Sequence, residues 1–120
     1  MRKIFMILYG IPNCDATKKA MDWLKKNNIN FEFHNYKEQG ISAKKLNGWC
    51  DKEGWEKILN KRSTTWRELS LAQQQDVTGQ EHAITVMTGN NSIIKRPIVE
   101  YKGQLLVGFD EKKYTTILKK

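Results

Sequence analysis

Of the two cysteines in the sequence, Cys14 stands where a thiol is most easily held as an anion. It follows an apolar run and the turn Gly10-Ile11-Pro12-Asn13, at or just before the first turn of a predicted helix. Unsatisfied backbone N–H groups and the helix dipole favour negative charge there, which lowers a thiol's pKa. Lys18, one turn on, adds a cation. The competing reading is a small buried hydrophobe, the usual fate of a free cysteine. Asp15-Ala16-Thr17 fills the positions where a second cysteine would complete a CxxC pair. Thr17 is therefore either a hydroxyl donor to the thiolate or a helix-surface threonine. With no thiol beside it, a modified Cys14 must be restored by another molecule or by Cys50. Cys50, in Gly48-Trp49-Cys50-Asp51, sits among apolar residues and reads as structural. Monothiol chemistry is the default.

Two arginines could serve an anion beside such a sulfur. Arg96 carries five donors and a permanent charge, suited to a carboxylate or oxyanion, and otherwise reads as a surface residue. Pro97 holds it in an extended conformation; from position alone that bond is expected trans, since only about 5–6% of X-Pro bonds are cis. Arg62, in Asn60-Lys61-Arg62-Ser63-Thr64-Thr65-Trp66, lies between two short helices, where a helix N-terminus and a guanidinium can share an anion; surface placement is the alternative. His34 and His82 have no partner at metal-ligand spacing and read as structural or exposed. The four tryptophans read as packing residues.

The elements that must position these groups follow from periodicity. Lys3–Tyr9 is a nearly continuous apolar run, as in a strand covered on both faces. From Asp15, residues Ala16, Ala20, Trp23 and Leu24 recur at helical spacing until Asn27-Asn28. Ile29–Asn35 alternates like a half-buried strand. From Gly40 to Asn91 the chain reads as small helices: one capped by Ser42 and carrying Leu46, Trp49 and Cys50, then Gly54–Asn60, a turn capped near Ser63, Leu71–Asp76 and Gln80–Thr88. Ile98–Tyr101 and Gln104–Val107 flank Lys102-Gly103, a two-residue hairpin signal. Asp110 caps a final helix, Glu111–Leu118. A β-α-β opening makes its two strands parallel. With the hairpin and closing helix, this gives an α/β fold: a thioredoxin-like four-stranded mixed sheet with an inserted helical subdomain. The core takes residues 1–38 and 92–120, and the insertion residues 39–91.

At 120 residues and 14.0 kDa the chain has the size of one domain. Hydrophobic residues at 39% and charged residues at 28% exclude wholesale disorder. Two cysteines and two histidines are too few for a disulfide scaffold or a zinc module, so no metal is expected. The net charge of +8 attracts anions, but the lysines are scattered and no nucleic-acid motif appears, so no direct nucleic-acid partner is expected. The basic-then-apolar start lacks a small-x-small cleavage pattern and is too short to span a bilayer. A cytoplasmic, monomeric protein with no membrane partner is the expectation.

Tyr9-Gly10-Ile11-Pro12-Asn13-Cys14-Asp15, Leu59–Trp66, Ile94-Lys95-Arg96-Pro97-Ile98 and Val107-Gly108-Phe109, in that order, resemble the ArsC family of thioredoxin-fold proteins, which also holds Spx, and most of all its YffB-like branch. The resemblance implies a site in the cleft between core and insertion. Cys14 would be the nucleophile and Arg62 and Arg96 anion-binding residues, with Thr17 and Lys18 beside them. Arg96-Pro97 would be the family's cis-proline loop, with Pro97 shaping the cleft. Arsenate reductases of the family carry a third arginine where this chain has Gly108-Phe109. The branch implies a monothiol oxidoreductase with no tightly bound cofactor, glutathione or another small thiol as co-substrate, and glutaredoxin as a possible partner. The alternatives are arsenate reduction proper, and a Spx-like regulator docking on RNA polymerase.

Overall fold

The structure, a computed structural model, describes residues 6–119. By contact, the residues through Asn35 and those from Arg96 onward form one unit, and Tyr36–Lys95 another.

In the first unit, strand β1 is Met6–Gly10; the start of the expected strand, positions 3–5, lies outside the described residues. Helix α1 follows at Asp15–Lys26, burying Thr17, Ala20 and Leu24. Its end explains why strand β2 covers only Glu32–Asn35 rather than starting at Ile29. Asn28 adopts φ 57°, its N–H bonds Lys25 O at 3.1 Å, and Ile29 N–H bonds Leu24 O at 2.9 Å. This is a Schellman stop with asparagine at the left-handed position. Ile29 closes the cap and packs on the core instead of pairing in the sheet.

β1 and β2 are parallel, with Leu8 opposite Phe33 and Gly10 opposite Asn35. Strands β3 (Ile98–Tyr101) and β4 (Gln104–Val107) form the expected hairpin; Lys102 and Gly103 both have positive φ, 49° and 77°, as a tight two-residue turn requires. The sheet order is β2-β1-β3-β4, with β3 antiparallel to both neighbours, the arrangement of a thioredoxin-like core. The last helix of the chain spans Glu111–Leu118, and Asp110 accepts the N–H groups of Lys112 and Lys113 as its cap. It packs with α1 over Met6, Leu8, Val99 and Leu106, through Tyr114 and, at 5.6 Å, Trp23.

The second unit is helical: α2 (Tyr36–Gln39), α3 (Ala43–Glu53), α4 (Trp55–Ile58), α5 (Thr64–Glu68), α6 (Leu71–Gln75) and α7 (Gln80–Gly89); the closing helix of the first unit is thus α8. Ser42, Ser63 and Ser70 cap α3, α5 and α6 through their hydroxyls. Tyr36, fully buried, starts a helix that periodicity did not reveal. A short 3-10 turn at Asn91–Ile93 ties the end of this unit to its start, where the Asn91 side-chain amide donates to Tyr36 O at 2.8 Å, and a bridge pairs Leu59 with Ile94. Among the described residues no helix is long and apolar enough to cross a membrane.

Candidate active site around Cys14

The strand-to-helix turn puts Cys14 at the N-cap of α1. Ile11, 3% exposed, anchors the turn, and its carbonyl accepts the Cys14 N–H at 3.2 Å. Cys14 is extended (φ −100°, ψ 125°), and its carbonyl accepts the Lys18 N–H at 2.9 Å, starting the helix. An N-cap side chain normally accepts the N–H three residues on; here the atom in that place is sulfur, and the residue three on is Thr17.

The half-buried thiol is subject to opposing effects. Burial raises its pKa, but the Thr17 hydroxyl, the Thr17 N–H and then the Arg96 guanidinium, by hydrogen bond and by charge, more than offset that. The net result is a thiol lowered from its ordinary value. To the neutral sulfur these contacts fall short: Cys14 makes no side-chain cap bond, and Thr17 Oγ1 has no partner of full hydrogen-bond geometry among the described residues. Sulfur is a weak acceptor until it is charged, so the donors act chiefly on the thiolate.

The fold therefore brings Cys14, Thr17 and Arg96 together. Thr17 is fully buried, which removes the helix-surface reading of it. Pro97 follows through a cis bond, and its carbonyl accepts the Gly108 N–H at 2.7 Å. Lys18 is exposed, and the groups that lower the thiol are Thr17 and Arg96 rather than this lysine. Arg62 belongs to the helical unit, exposed just ahead of the Ser63 cap, with its N–H on Asn60 Oδ1 at 3.1 Å. Phe109 packs edge-on against Tyr114 at 5.0 Å.

Cys50 is 2% exposed on α3, and burial, with the Asp51 charge, pushes its thiol up to about 11. His34 is half-buried, its ring tilted by 42° against that of Tyr9 with centroids 4.7 Å apart; His82 is exposed, with a ring nitrogen on Asp76 O. Among the described residues no cluster of His, Cys, Asp or Glu could hold a metal. Gly10, which the sequence presents only as punctuation, ends β1 directly against Thr17; a glycine in a strand often marks close approach by another element.

The sequence profile of the ArsC family matches residues 9–117. A solved YffB protein is 42% identical, with a TM-score of 0.91 over 94% of this chain and 98% of its own. An arsenate reductase (ArsC) related protein from Brucella melitensis is 35% identical, with a TM-score of 0.75, covering 100% of this chain and 99% of that one. The global transcriptional regulator Spx of Lactiplantibacillus plantarum is 30% identical over 88% of this chain and 80% of its own length.

Proposed function

The chain belongs to the ArsC family, and from that membership together with the surroundings of Cys14 we propose that it is a monothiol oxidoreductase using glutathione or a similar small thiol. The observation that carries the reading is the convergence of Thr17 and Arg96 on one half-buried sulfur at a helix N-terminus. A thiolate so held is both nucleophile and good leaving group. Cys14 thiolate attacks one sulfur of an oxidised disulfide substrate, forming a mixed disulfide as the other sulfur leaves as thiolate. A glutathione thiolate then attacks the substrate-derived sulfur, forming a new disulfide and returning Cys14 as thiolate. Where the first partner is glutathione itself, the product is glutathione disulfide. Arg96 holds negative charge beside the reacting sulfur. Such chemistry belongs in a reducing compartment such as the cytoplasm.

Arsenate reduction is the rival within the family. The packing of Phe109 against Tyr114 speaks against it, because that position offers aromatic carbon where a third guanidinium would stabilise the oxyanion. Glutathione-coupled reduction of a low-molecular-weight disulfide, run beside an arsenate assay, tests the reading. Disulfide turnover that vanishes in Cys14→Ser is expected; turnover retained by that variant overturns the mechanism. The identity to Spx supports a second reading, a regulator docking on RNA polymerase. Polymerase captured equally by wild type and Cys14→Ser, without disulfide turnover, would favour it.

A further inference from the structure

Gly10 ends β1, and seven residues later Thr17 lies in the first turn of α1. The two are in unusually close contact. A methyl group at position 10 would stand 2.7 Å from Thr17 Oγ1, 2.8 Å from Thr17 Cγ2 and 3.3 Å from its Cβ. Favourable carbon contacts begin at about 3.5 Å, so a β-carbon there displaces the threonine. The backbone itself makes no such demand: Gly10 is not among the glycines with positive φ, and it pairs with Asn35 as an ordinary strand residue. The three atoms nearest to such a β-carbon all belong to Thr17.

The consequence reaches the sulfur. Thr17 is fully buried, and its hydroxyl has no partner of full geometry among the described residues. A buried polar group without a partner calls for an explanation, and Cys14 supplies one. We propose that Gly10 is a positioning residue: by carrying no side chain, it lets the Thr17 hydroxyl stand against the Cys14 sulfur. The inference rests on Cys14 being the reacting sulfur.

Staggered geometry sharpens it. The β-carbon of Thr17 has three staggered sites for two heavy atoms. The two sites occupied now are the two that a methyl at position 10 would clash with. No rotation empties both, so threonine must also shift its backbone. A serine could turn its single oxygen to the third site, relieving the clash while taking the hydroxyl away from the sulfur. An alanine would keep, of these three contacts, the one at 3.3 Å.

A double-mutant cycle tests this. Gly10→Ala, Thr17→Ala and the pair are made in a Cys50→Ala background, and the pH midpoint of Cys14 alkylation by iodoacetamide is measured with thermal unfolding alongside. Loss of a hydrogen bond to a charged group should slow neutral-pH alkylation about tenfold in Thr17→Ala. Gly10→Ala should slow it comparably although the hydroxyl is still present, and the double variant should match Thr17→Ala. An unchanged midpoint in Gly10→Ala, or effects that simply add, overturns the proposal. Should Gly10→Ala fail to fold, Thr17→Ser is compared with Gly10→Ala/Thr17→Ser. A higher midpoint in the pair is expected, and equal midpoints overturn the proposal. A parent midpoint at the ordinary thiol value of about 8.5 overturns the reading of Cys14 as well, whereas a low midpoint indifferent to position 10 overturns this inference alone.

Discussion

Cys14 and Cys50 are the same residue in opposite surroundings. Cys14 caps a helix, and the burial that would raise its pKa is outweighed by Thr17 and Arg96. Cys50 sits in the last turn of α3 with the buried Leu46 and Trp49 before it, where burial and the Asp51 carboxylate drive its thiol up to about 11. Burial acts on both in the same direction; donors and a cation reverse its effect at only one. The direction of a thiol's pKa shift is thus a property of its position and its partners, not of cysteine as such.

The sharpest way to break the contrast is competitive alkylation of the native protein at pH 7. At a pKa of about 11, on the order of one Cys50 in ten thousand is thiolate, and the side chain is 2% exposed. Mass spectrometry should find the label on Cys14 almost exclusively, and on both residues after unfolding. Equal labelling of the folded protein would erase the difference. Next in size, Arg96→Ala should slow Cys14 alkylation at neutral pH by about tenfold, because it removes both a charge and a charge-assisted bond. The same substitution should leave labelling of Cys50 unaltered.

Smaller effects appear in stability. Cys50→Ala leaves a small cavity beside Leu46 and Trp49 on α3 and should cost roughly 1–2 kcal/mol in urea unfolding. The pH dependences of the two residues should run in opposite directions. Cys14 has a depressed pKa in the fold, so its contribution is present in full above the unfolded value of about 8.5 and is lost as pH falls through the folded value. For Cys50, raised to about 11, the contribution is full below about 8.5 and is lost as pH rises through 11. From pH 6 to 9 the stability margin of wild type over Cys14→Ala should therefore widen. From pH 9 to 11 its margin over Cys50→Ala should narrow. Parallel slopes would mean that the two environments do not differ as described.

Most of this contrast was legible in the sequence because both cysteines lie in strongly patterned segments. The apolar run before Gly10 and the periodicity after Asp15 locate Cys14 at a strand-to-helix turn, and Leu46, Trp49 and Cys50 mark one face of a capped helix. The hairpin, the caps at Ser42 and Ser63 and the Asp110 cap were readable for the same reason: each is a local geometry that demands a particular residue type. What stayed hidden depends on distant partners. Ile29 looked like the start of a strand until its cap to Leu24 was visible, and the buried Tyr36 opens a helix of only four residues, too short to show a period. Within the site, the surface reading of Thr17 could be set aside only once its full burial was seen. The cis bond at Arg96-Pro97 ran against the base rate and was expected only from the family's motif.

The most direct measurement is the pH profile of Cys14 alkylation in the Cys50→Ala protein, where no second thiol contributes. A midpoint clearly below the ordinary thiol value of about 8.5 is expected from the donors around Cys14. A midpoint at or above that value would mean that Thr17 and Arg96 do not hold the sulfur as an anion, and the proposed chemistry would fall with it.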